Sequence, residues 1–184
     1  MRIGRVALCI LLAWCNLPGP SCAEDFRLLS FGVRAGGTGV NVLGNKPPQD
    51  FQAFDVVTNF GLPWERHYDS GWWIGTRLMA NAGALRAAGQ TAFVASLVPV
   101  VVLGEPKGRF TLDFGAGGAV LSRHRFGVQE FGGPFQFALT LGVTVPLYDR
   151  LSVGYRFQHY SDATLYGSNT MGADLHMIEF TYRF

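Results

Sequence analysis

The sequence predicts an all-β protein, an eight-stranded antiparallel transmembrane β-barrel, and three observations lead to that class. Glycine and phenylalanine are abundant, at 24 and 15 of 184 residues, which disfavours long helices. Hydrophobic residues make up 48% of the chain and charged residues only 15%, which excludes a disordered chain. Apolar and polar positions alternate along most of the chain, which is typical of strands with one apolar face.

Residues 1–23 have the layout of a secretory signal peptide. A positive start, an apolar run and a small-residue site follow one another at Arg2 and Arg5, 6–13 and 21–23. The apolar run is well short of the ~20 residues that a membrane-spanning helix needs. Cleavage after Ala23 leaves residues 24–184 as the predicted outer-membrane barrel. It also removes all three cysteines, so the predicted mature chain holds no disulfide and no thiolate metal site.

Eight segments show the two-residue period of a strand. The clearest is 135–145, where each odd position is large and apolar and each even position is small or polar. The predicted strands span 26–35, 51–64, 72–84, 90–103, 109–119, 134–146, 150–161 and 173–184. Their second face carries residues such as Arg34, Asp55, Asn81 and Asp113, which are too polar for a soluble core. We therefore expect the apolar faces to contact lipid; the alternative is a soluble sandwich or lipocalin-like barrel with those faces inward.

The lengths of the connections also favour a membrane barrel. The connections at 105–108 and 148–150 are tight turns, whereas those at 36–50, 120–133 and 162–172 are long. Short turns at one end and long loops at the other are typical of outer-membrane barrels, although the connection at 85–89 is short. A barrel of eight strands is narrow enough to be filled by side chains, so we expect no aqueous channel.

The last strand is expected to close the barrel. It alternates up to Phe184 and resembles the C-terminal strand of bacterial outer-membrane barrels. Its inward-facing Glu179 is expected to pair with Arg156 or Arg183 inside the lumen. The second turn is flanked by aromatic residues, as at a membrane interface: Trp64, Tyr68, Trp72 and Trp73.

Polar residues interrupt the apolar face of the last two predicted strands. His159 and Ser161 continue the outward parity of the seventh strand, and Asp174 and His176 that of the eighth. Two registers fit this parity: Ser161 opposite Asp174, or Asp174 beside His159. Either register allows a nucleophile, a general base and an orienting carboxylate, with His176 as the competitor for the base. The alternative is a polar cluster without chemistry at the depth of the lipid headgroups.

The segment 158–163, Gln-His-Tyr-Ser-Asp-Ala, is followed by Asn169 and by Gly172-Ala173-Asp174. It resembles the C-terminal signature of the outer-membrane lipid A deacylases of the PagL type, H-x-S-N-A and then an Asn and Gly-x-Glu. The resemblance implies an eight-stranded barrel that cleaves the ester-linked acyl chain at the 3-position of lipid A. It implies Ser161 as nucleophile, His159 as general base, Asp174 as the acid that orients the imidazole, and Asn169 as a candidate oxyanion donor.

The chain departs from this signature at two positions. Asp162 stands where the family has Asn, and Asp174 replaces Glu and is one methylene shorter. The first change places a negative charge next to the site, and such a charge disfavours an oxyanion nearby.

The resemblance also implies a location and a substrate, namely the bacterial outer membrane and the lipid A of lipopolysaccharide. We expect no cofactor and no metal, because the four histidines are scattered without regular spacing. We expect no nucleic-acid partner, because Lys46 and Lys107 are the only lysines and no basic stripe is visible. A homodimer is left open. The competing function is a non-catalytic eight-stranded barrel with a structural or adhesive role.

Overall fold

The computed structural model describes residues 26–43, 48–167 and 170–184. The predicted signal peptide therefore lies outside the described residues. Within the three described ranges, no helix is long and apolar enough to cross a membrane. The strands are β1 Arg27–Thr38, β2 Gln52–His67, β3 Trp73–Ala87, β4 Gln90–Gly104, β5 Thr111–Leu121, β6 Arg125–Phe126, β7 Gln129–Glu130, β8 Phe135–Tyr148, β9 Leu151–Ser161 and β10 Ala173–Arg183. The eight predicted strands correspond to the eight long strands, which are all of these except β6 and β7.

These eight long strands close into an antiparallel barrel in the order β1-β10-β9-β8-β5-β4-β3-β2, while β6 and β7 form a separate hairpin. β10 pairs with β9 on one side and with β1 on the other, so the sheet has no free edge. Closure matters in lipid, where no water can satisfy unpaired backbone groups. β10 ends at Arg183, and the Phe184 N–H still donates to the Leu29 carbonyl at 3.1 Å. The predicted eight-stranded barrel is confirmed.

The two faces of the barrel wall are inverted relative to a soluble protein. Large apolar side chains such as Phe93, Phe114 and Leu141 are exposed on the outside, at 58%, 60% and 54%. Polar residues that alternate with them, such as Asp113 and Thr140, are buried inside. A wall of exposed apolar side chains around a lumen that holds charged and polar groups is the arrangement of a transmembrane barrel, which excludes the soluble alternative.

Inside the lumen, charged side chains pair with one another alongside buried apolar residues such as Val57, Met79 and Val98. Arg156 donates to Asp113 Oδ1 at 2.6 Å and to Glu179 Oε2 at 2.8 Å. Arg34 makes a two-point contact with Asp55, at 2.6 and 2.9 Å. Of the two arginines predicted for Glu179, Arg156 is the correct one. A buried charge is tolerated when it is paired in this way, so these networks allow a polar lumen without a channel.

The long connections gather at one end of the barrel, which we name the loop end: 39–51, 122–134 and 162–172. The two-residue turn Ala88–Gly89 is also at this end and has positive φ at both residues, 49° and 70°. This geometry suits a tight hairpin, which explains how a short connection fits among long loops. Three buried phenylalanines, Phe51, Phe126 and Phe131, pack edge to face and join the first loop to the 122–134 loop.

Candidate active site

The polar residues that interrupt the outer apolar face lie where β9 and β10 meet the loop end. Asp174 pairs directly with His159 across the two strands, and His176 pairs with Phe157. The second of the two predicted registers is therefore correct, and the register with Ser161 opposite Asp174 is wrong by two residues. Parity cannot separate them, because a shift of two residues leaves every side chain on its own face.

His159 and Asp174 are joined by a hydrogen bond of 2.5 Å between Nδ1 and Oδ1. A carboxylate oxygen accepts, so Nδ1 carries the hydrogen and Nε2 is the basic nitrogen of the neutral imidazole. The side chain of Asp174 is 1% exposed and that of His159 is 14% exposed. An acid and imidazole pair with the orientation used for general-base chemistry thus lies on the outer wall of the barrel.

The backbone of the first loop covers the other oxygen of Asp174. The N–H groups of Val42 and Leu43 donate to Oδ2 at 2.6 and 2.7 Å. With His159 on Oδ1, both carboxylate oxygens accept charge-assisted hydrogen bonds, which hold the side chain in one orientation. Sequence reasoning missed this contribution, because a backbone donor can come from any residue type and leaves no motif.

Ser161 ends β9 on the same face as His159 and pairs with Phe137 of β8. A Cβ atom placed on Gly172 would lie 2.9 Å from His159 Cε1 and 3.2 Å from Ser161 Cβ. The imidazole and the serine therefore border the same glycine, whose missing side chain leaves space beside both. Within the described ranges, no hydrogen bond joins Ser161 to His159.

Asp162, the residue after the serine, is bound by its own loop. Its carboxylate accepts from the N–H groups of Thr164 and Tyr166 at 3.2 and 3.0 Å and from the Thr170 hydroxyl at 2.8 Å. These bonds hold a turn in which Ala163 and Thr164 have φ of 48° and 68°, an uncommon conformation for residues other than glycine. The charge predicted beside the site is therefore engaged by three donors and organises the turn after Ser161.

His176, the competitor for the base, has both ring nitrogens occupied. Nε2 donates to the Val40 carbonyl at 2.7 Å, and Nδ1 bonds with the Tyr155 hydroxyl. Because a carbonyl can only accept, Nε2 must carry a hydrogen, and Nδ1 of the neutral ring accepts from the tyrosine. This geometry leaves His159 as the candidate base.

The hairpin of β6 and β7 fastens the segment that leads into β10. The Met171 N–H donates to the Glu130 carbonyl at 2.9 Å, and Gln129 Nε2 donates to the Met171 carbonyl at 2.8 Å. These bonds fix the backbone immediately before Gly172 and Asp174. Asn169, the candidate oxyanion donor, lies outside the described residues.

Glu130 is the ionic centre of that hairpin. Its carboxylate accepts from His124 Nδ1 at 2.9 Å, from Arg125 Nε at 2.5 Å and from the Gly132 N–H at 3.0 Å. Burial alone raises the pKa of Glu130, but these hydrogen bonds outweigh it and hold the pKa at about 2. The hairpin that supports the site is therefore stabilised by a carboxylate that stays ionised at neutral pH.

Comparison with known proteins agrees with this description. Residues 52–183 match the family model described as lipid A 3-O-deacylase (PagL). The fold is similar to the crystal structure of the outer membrane enzyme PagL, with a TM-score of 0.70 and 19% identity over 84% of this chain and 99% of that chain. It is also similar to the Yersinia pestis outer membrane protein Ail, with a TM-score of 0.48 and 12% identity over 85% of this chain and 99% of that one. No curated protein matches the chain.

The barrel and the family match together define an outer-membrane enzyme, a hydrolase of carboxylic esters. The matched region covers most of the chain, and the chain belongs to the lipid A 3-O-deacylase (PagL) family. The family, the enzyme class and the outer-membrane location predicted from the sequence are confirmed. Membership favours an ester hydrolase over the non-catalytic barrel.

Proposed function

We propose that this protein is a serine esterase that removes the acyl chain at the 3-position of lipid A in the outer leaflet of the outer membrane. The observation that carries the proposal is the 2.5 Å bond between His159 Nδ1 and Asp174 Oδ1 on the outer wall, two residues from Ser161. Charged pairs inside the lumen fill the barrel, but a buried acid and imidazole pair on the apolar outer face has no such packing role. Family membership supports lipid A as the substrate.

In the proposed mechanism Ser161 is the nucleophile, His159 the general base and Asp174 the orienting carboxylate. Ser161 Oγ attacks the ester carbonyl carbon while His159 Nε2 takes the hydroxyl proton. The bond to the 3-oxygen of the sugar then breaks, and His159 returns the proton to that oxygen. Water attacks the acyl-enzyme with His159 again as base, which releases the fatty acid and restores Ser161. Asn169 remains our candidate donor to the oxyanion.

The position of the site supports a substrate drawn directly from the outer leaflet. Ser161 and His159 pair with Phe137 and Leu139 of β8, whose side chains are 44% and 41% exposed on the apolar outer face. Acyl chains lying along these residues would bring the ester to the serine at headgroup depth. The substrate need not enter the lumen, which separates this mechanism from that of a barrel acyltransferase that measures a chain inside.

Mass spectrometry of lipid A from outer membranes that contain the folded protein tests the proposal. With the wild type, we expect lipid A to lose the mass of the acyl chain at the 3-position. Ser161→Ala and His159→Asn should abolish this loss, because removing the nucleophile or the base of a serine hydrolase costs on the order of 10⁶-fold in kcat. Both residues lie at the rim of the barrel, so the variants should still assemble.

Ser152→Ala is the matched control, since this serine lies on β9 but is buried in the lumen far from the loop end. It should deacylate like the wild type. Migration on gels with and without heating shows that each variant is folded. Unchanged lipid A in membranes that contain folded wild type would exclude the esterase, and full deacylation by Ser161→Ala would exclude this nucleophile.

Two other expectations stay predictions. Residues 1–23 are the predicted signal peptide and 24–184 the mature barrel, which N-terminal sequencing of the exported protein tests. The homodimer is open to crosslinking in membranes. Neither changes the proposed mechanism, because Ser161, His159 and Asp174 come from one chain.

A further inference from the structure

We infer that His176 is a positioning residue: it fastens the first loop to the outer wall of the barrel, so that the loop amides hold Asp174 in place for His159. The inference rests on the proposed function of the Asp174 and His159 pair. It assigns a role to a histidine of the outer face that the proposed mechanism leaves unused.

His176 is itself held firmly on the outer wall. Its ring lies 5.6 Å, centroid to centroid, from the ring of Phe157, its partner across β9 and β10. Tyr155, the next outward residue along β9, bonds with Nδ1. That bond secures the tautomer with hydrogen on Nε2, which is the form that can donate to the Val40 carbonyl at 2.7 Å. The imidazole thus links two strands to the loop.

Among the described residues, the loop segment 39–43 makes few other contacts that would hold it to the barrel. The side chains of Val40 and Val42 are 77% and 62% exposed, so burial of apolar surface does not hold the segment. In the part of the chain that the structure describes, this segment is bonded to the wall at two points: the Val40 carbonyl accepts from His176, and the Val42 and Leu43 amides donate to Asp174. Because these two points are only two residues apart, each restrains the other. Loss of the bond between Val40 and His176 should therefore loosen the bonds of the Val42 and Leu43 amides to Asp174.

Gly39 shows how closely the imidazole and the loop approach. A Cβ atom on Gly39 would lie 2.7 Å from His176 Cδ2, closer than real Cβ contacts allow. Gly39→Ala should therefore push the loop away from His176 without changing any strand of the barrel. It offers a second way to break the same attachment from the opposite side.

Amide hydrogen exchange of the folded protein in micelles tests the attachment without reference to activity. In the wild type, the Val42 and Leu43 amides should be protected. In His176→Phe, which keeps a ring but loses both hydrogen bonds, their exchange should rise by on the order of tenfold or more, and Gly39→Ala should act in the same direction. His176→Gln should preserve protection, because its amide can donate to Val40 and accept from Tyr155.

Kinetics of lipid A deacylation test whether the attachment acts through Asp174. His176→Phe should lower kcat on the order of tenfold and leave KM nearly unchanged, since an orienting carboxylate acts on the chemical step. His176→Gln should restore most of the loss. In an Asp174→Asn background, His176→Phe should cost little more, because the group to be positioned is already gone.

Unchanged protection of Val42 and Leu43 in both His176→Phe and Gly39→Ala would overturn the inference. So would a full second loss of kcat in the Asp174→Asn background, which would mean that His176 acts independently. Tyr182→Phe, which removes an outward hydroxyl at the far end of β10, is the control variant and should have no effect on either readout. Absence of any wild-type activity would reject the proposed function, while the exchange experiment would still decide the attachment.

Discussion

β9 and β10 carry two charged clusters on opposite sides of the same wall. Inside, Arg156 lies between Asp113 and Glu179, and its side chain is 3% exposed. Outside, three residues further along β9, His159 bonds to Asp174. In the inner cluster, the Arg156 guanidinium donates to the two carboxylates beside it. In the outer cluster, only Nδ1 of His159 bonds to the acid, so Nε2 points away from it, and a serine lies nearby.

The difference shows how similar residue types can serve either the stability of the barrel or the chemistry of a site. A closed network satisfies each charge and leaves nothing to react, which suits a lumen that must be filled. The outer pair is shielded on the acid side by the first loop, so the Asp174 charge meets backbone amides instead of lipid, where a charge is costly. Ser161, beside this pair at the end of β9, is partly exposed.

The largest effect is expected from breaking the outer pair at the acid. Asp174→Asn keeps the shape but has one acceptor oxygen, so it cannot accept from His159 and from the Val42 and Leu43 amides as the carboxylate does. The rate of lipid A deacylation should fall between about 10-fold and about 10⁴-fold, and less than in Ser161→Ala. Initial rates in mixed micelles measure this.

Asp162→Asn is the comparison for that variant, because its carboxylate is adjacent to the serine but bound by its own loop. An asparagine oxygen can still accept in the turn, so the rate should stay within about threefold of the wild type. A stronger loss in Asp162→Asn than in Asp174→Asn would reverse the assignment of the two acids.

Mutations in the inner cluster should lower the free energy of unfolding of the barrel. Arg156→Met leaves Asp113 and Glu179 buried without a cation, and breaking a buried pair from one side costs about 3–5 kcal/mol. Urea unfolding of the barrel in lipid vesicles should show the loss. Adding Asp113→Asn and Glu179→Gln should recover part of it. Arg123→Met, at an exposed loop position, should change stability little; an equal loss there would mean that the lumen network is not special.

The barrel could be predicted because its signal is local. The two-residue period shows which residues of β8 and β10 face outward. The predicted ends of the eight long strands agree with the observed ends to within three residues. The hairpin of β6 and β7 was not predicted, since strands of two residues carry no period. Phe157 shows a further limit: its parity is outward, yet it is 6% exposed, because His176 packs over it.

The shared face of the candidate site residues could be predicted, but the groups that support them could not. Parity placed His159, Ser161 and Asp174 on one face, and that face is observed. The amides of Val42 and Leu43 come from a loop more than 130 residues away in sequence, and no periodicity links the two. Asp162 could be recognised as a difference from the family signature. The turn that it holds could not be predicted, because it depends on backbone angles that the sequence does not reveal.

The smallest effect is expected from titrating the two ends of the barrel. At the loop end, the pKa of Glu130 is held at about 2 and its ordinary value is 4.5. At the opposite end, hydrogen bonds from the Arg109 side chain likewise lower the pKa of Glu105 to about 2. Only the first carboxylate belongs to the hairpin that fastens Met171 next to the site.

A depressed pKa stabilises the folded form fully above the ordinary value and loses that effect as pH falls through the folded value. The Glu130 hairpin should therefore be intact above pH about 4.5 and loosen progressively towards pH about 2. Exchange of the Met171 amide, corrected for its intrinsic pH dependence, should rise over that window. Glu130→Gln should show faster exchange already at neutral pH and a flat profile below it, while Glu105→Gln should leave the Met171 amide unchanged. A Met171 profile that is flat in the wild type, or that Glu105→Gln alters as much as Glu130→Gln, would mean that the loop-end carboxylate does not support the site.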